Sequence, residues 1–155
     1  RNLGISRSKY FSYHYQNYFN EAYILYERMK LFITKLSRSV GLSDLKVETD
    51  KEKKSLLSNI EKVFSSILVV RGDHVHKRRH EDREITKITR MEFLMSSANL
   101  RHLGKFLYEA RFREMRAKKL KEIGNRNAVL QAFVDYYFDR LGPLIFQSDG
   151  GFRYP

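Results

Sequence analysis

The chain contains no cysteine, which excludes disulfide scaffolds, cysteine-based zinc sites and thiol nucleophiles. Glycine and proline are scarce, with 8 and 2 residues, so the turns that a many-stranded sandwich or barrel requires are missing. The longest apolar runs, such as Ile67 to Val70, are far shorter than a transmembrane helix. We therefore expect a protein with no membrane partner, and the lack of cysteine fits a cytoplasmic location.

The length and the apolar content indicate one folded unit. Hydrophobic residues make up 42% of the 155 positions, which is too large a share for a disordered chain. A chain of this length can bury about two-thirds of its unfolded surface, so it needs neither metal nor disulfide to fold. We expect a single domain over residues 1–155, with its core at about 8–141 and a loosely held tail at 147–155.

Apolar residues recur at three- and four-residue steps along most of the chain, which is the pattern of helices with one buried face. The pattern predicts an all-α antiparallel bundle of about four main helices, at about 8–39, 49–71, 82–123 and 127–141. Thr49 and Glu52 have the spacing of a capping box, which marks the start of the second helix. A glycine follows the expected end of each helix: Gly41, Gly72, Gly124 and Gly142.

The same steps predict which side chains face the core. In the first helix they are Phe11, Tyr15, Tyr18, Ala22, Leu25, Met29, Phe32 and Leu36. In the second helix they are Leu56, Ile60, Val63, Ile67 and Val70. In the last helix they are Leu130, Phe133, Val134, Tyr137 and Leu141.

Positive charge is in large excess, with 30 Lys and Arg against 18 Asp and Glu and a net charge of +12. An excess of this size predicts polyanionic partners, nucleic acid ahead of an anionic membrane. Half of the excess lies between Arg101 and Lys121, on a predicted helix that can follow a row of phosphates. A solvated helix face explains this segment equally well. The nucleic-acid contacts expected from it are Arg111, Arg113, Arg116, Lys118 and Lys119.

A polar segment rich in His and Arg follows the second predicted helix, from Arg71 to Glu84. Loops at the ends of rigid helices are favoured places for function. Arg71 and His76 are separated by four residues, and a helix break at Gly72 is expected to let them converge. A second pair with similar spacing, at residues 7 and 14, lies at the start of the first helix and ahead of the core.

With this Arg–His pair in an all-α chain, the sequence resembles the HEPN superfamily, many of whose members are ribonucleases with an Arg followed after four to six residues by a His. The matching segment is Arg71-Gly72-Asp73-His74-Val75-His76, and the likeness in topology covers about residues 8–141. The sequence departs from the family pattern at Gly72, where a polar residue is usual. Asp73 and His74 are the candidates for that polar group.

The resemblance implies an endoribonuclease of a toxin or defence system that needs no metal or cofactor. It also implies a homodimer with a composite active site, held in check by an inhibitory antitoxin or by a fused or partner regulatory domain. The chemistry suits the residues, because the His76 imidazole can transfer the proton of the attacking 2′-OH while the Arg71 guanidinium holds charge on the phosphate. Asp73 and His74 are expected to support this pair. Further RNA contacts are expected next to it, at Lys77, Arg78 and Arg79.

Two other functions stay open at this point. In one, the same fold is a non-catalytic module for nucleic-acid binding or assembly, with Arg71 as a cation at a helix C-terminus. The glycine at position 72 favours this alternative. In the other, a metal-dependent phosphohydrolase uses the cluster His74, His76, His80, Glu81 and Asp82, since imidazoles and carboxylates suit zinc, iron or manganese. The spacing of that cluster matches no metal-binding motif.

Overall fold

The computed structural model describes residues 6–39, 45–76, 82–95 and 101–152. Within these ranges 92% of the residues are helical. The described residues form no β-strand, and their β-type pairing is an isolated antiparallel bridge between Phe146 and Phe152. The helices are α1 (Arg7–Ser39), α2 (Lys46–His76), α3 (Arg83–Met95) and α4 (Arg101–Ile145). An all-α bundle of about four helices is therefore confirmed. None of the helices in the described ranges is long and apolar enough to cross a membrane.

Several predicted helix ends are wrong. The second helix continues through Gly72 to His76, and α4 passes through Gly124 and Gly142 before it ends at Ile145. The helix expected over 82–123 is two helices, α3 and the first half of α4, and residues 96–100 lie outside the described ranges. A glycine inside a helix costs only about 1 kcal/mol relative to alanine.

The start of α2 also differs from the prediction. The helix begins at Lys46, and the backbone N–H of Thr49 already donates to the carbonyl oxygen of Leu45 at 2.9 Å. The Thr49 side chain is fully buried within the helix and caps nothing. Glu52 forms an ion pair with Arg140 of α4 instead of closing a capping box. The capping-box prediction is wrong because both residues face neighbouring helices.

The chain divides into two compact units, and the divisions fall inside α1, α2 and α4. Unit 1 contains Arg1–Glu21 and Val70–Asn125, and unit 2 contains Ala22–Val69 and Arg126–Pro155. The single domain over residues 1–155 stays a prediction. The motif and the basic segment both belong to unit 1.

Unit 2 has a core built from α1, α2 and α4. Its most enclosed hydrophobic side chains, each with no more than 2% exposure, are Ile33, Leu56, Ile60, Phe64, Ile67, Tyr137, Leu141 and Leu144. The Tyr137 hydroxyl donates to the carbonyl oxygen of Met29 at 2.7 Å, which satisfies a polar group inside this core. The predicted stripes of the second and last helices are confirmed at most of these positions.

The predicted stripe of α1 is out of register over part of its length. Tyr15, Ala22 and Met29 are buried as expected, but the intervening core positions are Phe19, Tyr26 and Ile33 rather than Tyr18, Leu25 and Phe32. Ile33 is fully buried, whereas its neighbour Phe32 is 43% exposed. Two apolar rows lie side by side on α1, and the helical period alone did not separate them.

Unit 1 packs α3 and the first part of α4 against the start of α1. Phe112 of α4 lies 6.3 Å from Phe11, centroid to centroid, and the Arg7 guanidinium lies 4.7 Å from the centre of the Phe112 ring. Glu92 of α3 accepts hydrogen bonds from the backbone N–H groups of Arg7 and Ser8, at 3.1 and 3.2 Å. This carboxylate therefore caps α1, where a negative charge also stabilises the helix dipole.

Candidate functional site

Arg71 and His76 lie on the last two turns of α2, and Arg71 is half-buried. Because the helix is unbroken, positions 71 and 76 are about 140° apart around its axis. Gly72 lies inside α2, which continues to His76. The predicted convergence of Arg71 and His76 through a break at Gly72 is therefore wrong. One α2 helix places the two residues on different faces.

The rest of the motif is only partly described. Asp73 and His74 belong to the same final turns of α2 as Arg71 and His76. Three of the predicted RNA contacts lie outside the described residues: Lys77, Arg78 and Arg79. Their roles stay predictions.

Lys119 is buried, whereas the sequence predicted that it lies on the surface and contacts nucleic acid. It is 6% exposed, and its Nζ lies 2.8 Å from Asp82 Oδ2, 3.2 Å from Glu122 Oε2 and 3.3 Å from Glu84 Oε2. Burial alone would lower the pKa of Lys119, but the hydrogen bond to Asp82 and the neighbouring Tyr15 and Glu122 raise it. Its predicted contact with RNA is not supported, because the ammonium group is enclosed among carboxylates.

Asp82 connects this buried lysine to the start of α3. Its Oδ1 accepts hydrogen bonds from the backbone N–H groups of Glu84 and Ile85, at 3.0 and 3.2 Å. Burial would raise the pKa of Asp82, but the hydrogen bonds from Lys119 and Ile85 outweigh it and lower the pKa. Both carboxylate oxygens are therefore engaged by protein partners, and His80 and Glu81 of the suggested metal cluster lie outside the described residues. Within the described ranges no group of three or more His, Asp or Glu could hold a metal ion.

The other cations in the first part of α4 whose side chains the structure describes are exposed, and we call them the basic strip: Lys105, Arg111, Arg113, Arg116, Lys118 and Lys121. Arg111 pairs with Glu114 at 3.0 Å and Lys118 with Glu84 at 2.6 Å. Exposed ion pairs of this kind contribute little free energy, so a phosphate can replace the carboxylate. The other four cations of the strip make no ion pair with a carboxylate of the described residues.

Part of the basic strip forms a row along the helix. Lys105 and Arg116 are eleven residues apart, so they differ by about 20° around the axis and by about 16 Å along it. Arg113 lies between them, within about 80° of Lys105. Tyr108 and Phe112, which could have stacked on bases, are each 5% exposed and packed in the core of unit 1. The basic strip therefore offers charge to a polyanion, and the aromatic residues beneath it are structural.

Sequence reasoning missed the buried role of Lys119. The signal was present, because Lys119 falls four residues after Met115 in the stripe that buries Tyr108 and Phe112. A charged residue at such a position needs partners, which come here from α3. Comparison of the chain with models of known protein families, with curated proteins and with solved structures finds no match.

Proposed function

We propose that the protein binds RNA on the basic strip and cleaves it, without a metal ion, at a site formed by Arg71 of one copy and His76 of a second copy. The observation that carries this proposal is the unbroken course of α2, which keeps the two residues about 140° apart in one chain. A two-fold axis between copies can set His76 of one opposite Arg71 of the other, and it then repeats the arrangement. The exposed cations of the basic strip supply the attraction for the RNA backbone.

The proposed reaction uses the substrate's own nucleophile. The His76 imidazole takes the proton of a 2′-OH, and the 2′-oxygen attacks the adjacent phosphorus. The Arg71 guanidinium holds the charge that develops on the phosphate oxygens. The bond to the 5′-oxygen breaks, that oxygen takes a proton from water, and a 2′,3′-cyclic phosphate is left on the other fragment. DNA lacks the 2′-OH and is expected to stay intact.

Cleavage assays with single variants test this proposal. In excess EDTA the protein is expected to cut an RNA strand and to leave the DNA copy of that strand untouched. Arg71→Ala and His76→Ala should each abolish cutting while the helical circular dichroism signal is retained. Arg28→Ala and His14→Ala are matched controls, because both of these side chains are exposed. Unchanged cleavage in both motif variants would refute the assignment, and activity that needs manganese or zinc would favour the metal-dependent alternative.

A non-catalytic RNA-binding protein is the second candidate. The glycine at position 72 favours it, since the family pattern that the sequence resembles usually has a polar residue there. In that case the protein would bind RNA with the same salt dependence but leave it uncut. A wild-type protein that binds the RNA strand but leaves it intact would favour this candidate, whereas cleavage that His76→Ala abolishes would favour the ribonuclease.

The biological setting follows from the resemblance and belongs to the same proposal. We expect a toxin or defence effector that acts on RNA in the cytoplasm. We also expect an inhibitory antitoxin, or a fused or partner regulatory domain, to restrain it. Co-expression with an inhibitor should relieve growth arrest caused by the wild-type chain, whereas the His76→Ala chain should cause none.

A further inference from the structure

A polar cavity of about 590 Å³ lies in unit 1, between the start of α1 and α3. Lys9 and Ser12 belong to its α1 wall, and Thr86 and Arg90 belong to its α3 wall. The volume falls within the range of small-molecule sites, roughly 300–1,000 Å³. Arg71 and the basic strip are not among the described residues that line it.

Two cations on opposite walls give the cavity a positive charge that the described residues do not neutralise. The side chains of Lys9 and Arg90 are exposed, and neither forms an ion pair with a carboxylate of the described residues. The acidic residue of the described lining, Asp82, is already engaged by Lys119 at 2.8 Å and by the backbone at the start of α3. An anion that enters the cavity therefore meets two unpaired cations and a carboxylate whose charge is already balanced.

Three hydroxyl groups line the same cavity and offer hydrogen-bond donors to an anion. The Ser12 hydroxyl accepts a hydrogen bond from the Gln16 amide at 3.4 Å, so its own proton is available to a ligand. The hydroxyls of Tyr13 and Thr86 make no hydrogen bond within the described residues. Three donors beside two cations match a group with three oxygens and about two negative charges, which is a phosphate monoester. A carboxylate ligand offers only two oxygens and a single charge.

A second cavity in unit 1 provides a contrast. It lies between α3 and α4 and has a volume of about 450 Å³. Two of its cations are paired, Arg111 with Glu114 at 3.0 Å and Lys118 with Glu84 at 2.6 Å. An anion that binds either cation must first displace a carboxylate. The cavity between α1 and α3 requires no such displacement, which makes it the better anion site.

We propose that the cavity between α1 and α3 binds a phosphate monoester, whose phosphate oxygens are held by Lys9, Arg90 and the hydroxyl groups. Lys9 supplies a compact charge, and Arg90 supplies a planar fork that holds two oxygens at once. A free phosphate ester of a small molecule and the 5′-phosphate at the end of an RNA strand offer the same group. This inference goes beyond RNA cleavage, because the site is built from residues outside the Arg–His motif and the basic strip and stands even if the protein cuts nothing.

Isothermal titration of the full chain at low salt tests the site with ribose 5-phosphate, and ribose is the comparison that lacks the phosphate. Ribose 5-phosphate should bind the wild type, and ribose should not. Lys9→Ala and Arg90→Ala should each weaken binding by about tenfold, the effect of losing one charge-assisted hydrogen bond. Both side chains are exposed, so both variants should keep the helical circular dichroism signal. Lys87→Ala is the matched control and should bind as the wild type does, because Lys87 is an exposed cation of α3 that lines the other cavity.

Two hexamers of 2′-O-methyl RNA, one with a 5′-phosphate and one with a 5′-hydroxyl, distinguish the source of the ligand. These strands lack the 2′-OH nucleophile and stay uncut, and the basic strip attracts both, so the difference in their affinities reports the terminal phosphate. If the wild type prefers the phosphorylated strand and the Lys9 and Arg90 variants lose that preference, the site takes the end of an RNA strand. If the two strands bind equally while binding of ribose 5-phosphate depends on Lys9 and Arg90, the site takes a free ester.

Two results would overturn the proposal. One is a wild type that neither binds ribose 5-phosphate nor prefers the phosphorylated strand. The other is a pair of Lys9 and Arg90 variants that match the Lys87 control in every titration. RNA cleavage by the wild type and by His76→Ala is measured separately, so failure of one proposal does not decide the other.

Discussion

Replacing Lys119 with methionine should destabilise the protein by about 2–3 kcal/mol. Lys119 is 6% exposed and lies within 3.3 Å of three carboxylates. Methionine keeps a long apolar stem beside Tyr15 but removes the positive charge. The substitution therefore leaves the carboxylate of Asp82, whose side chain is 16% exposed, without its main partner.

The magnitude follows from burial. Breaking a buried ion pair by removing one partner typically costs about 3–5 kcal/mol. Glu84 and Glu122 have side chains that are 41% and 35% exposed, so water screens part of the charge that is left behind. This screening reduces the expected cost to about 2–3 kcal/mol, or a fall in Tm of about 5–10 °C for a chain of this size.

Urea denaturation at neutral pH, followed by circular dichroism, measures this loss. Arg116→Met is the matched control, since Arg116 is exposed on the same helix, and it should change the free energy of unfolding by less than about 0.5 kcal/mol. In the double variant Asp82→Asn with Lys119→Met the two losses should not add, because Asn still caps α3 and leaves no unpaired charge. A Lys119→Met protein as stable as the Arg116→Met control would refute the buried ion-pair network. The salt dependence of RNA binding should stay unchanged in Lys119→Met.

Three further results are expected. Tyr137→Phe should cost about 1 kcal/mol, because it removes the buried hydrogen bond to Met29, and a wild-type free energy of unfolding would contradict that bond. Burial would raise the pKa of Glu92, but hydrogen bonds from Ser8 outweigh it, so the folded pKa lies below the unfolded value. The ionised carboxylates of Glu92 and Asp82 should therefore contribute their full stabilisation above about pH 5, and this contribution should be lost as the pH falls below about 4. A free energy of unfolding that does not decline below about pH 4 would argue against these contacts. Replacing Arg113 and Arg116 together by alanine should lower the slope of log affinity for RNA against log salt by about two, and an unchanged slope would exclude the basic strip as the RNA contact.

The core of the protein was largely predictable from the sequence, whereas its helix ends were not. Leu56, Ile60 and Ile67 follow the helical period, and their predicted burial is confirmed. On α1 two apolar rows compete, and only packing against other helices selects Ile33 over Phe32. Gly72 and Gly124 were expected to end helices because glycine favours C-caps. The structure shows instead that α2 continues through Gly72 and α4 through Gly124.

The sequence allowed the residues of the candidate site to be predicted, but not how those residues are arranged in space. The spacing of Arg71 and His76 is visible in the sequence, and so is the excess of cations around Arg113. The enclosure of Lys119 depends on α3, which starts 36 residues before it in the chain, and no local pattern contains that contact.

Complementation between two inactive variants tests the composite ribonuclease site most directly. Arg71→Ala and His76→Ala chains are each expected to be inactive alone. When they are co-expressed in equal amounts, random pairing gives heterodimers in which one of the two sites has both an intact Arg71 and an intact His76. RNA cleavage in EDTA should then recover to about a quarter of the wild-type rate. A mixture that forms heterodimers but cuts no RNA, beside an active wild type, would contradict a site shared between two copies.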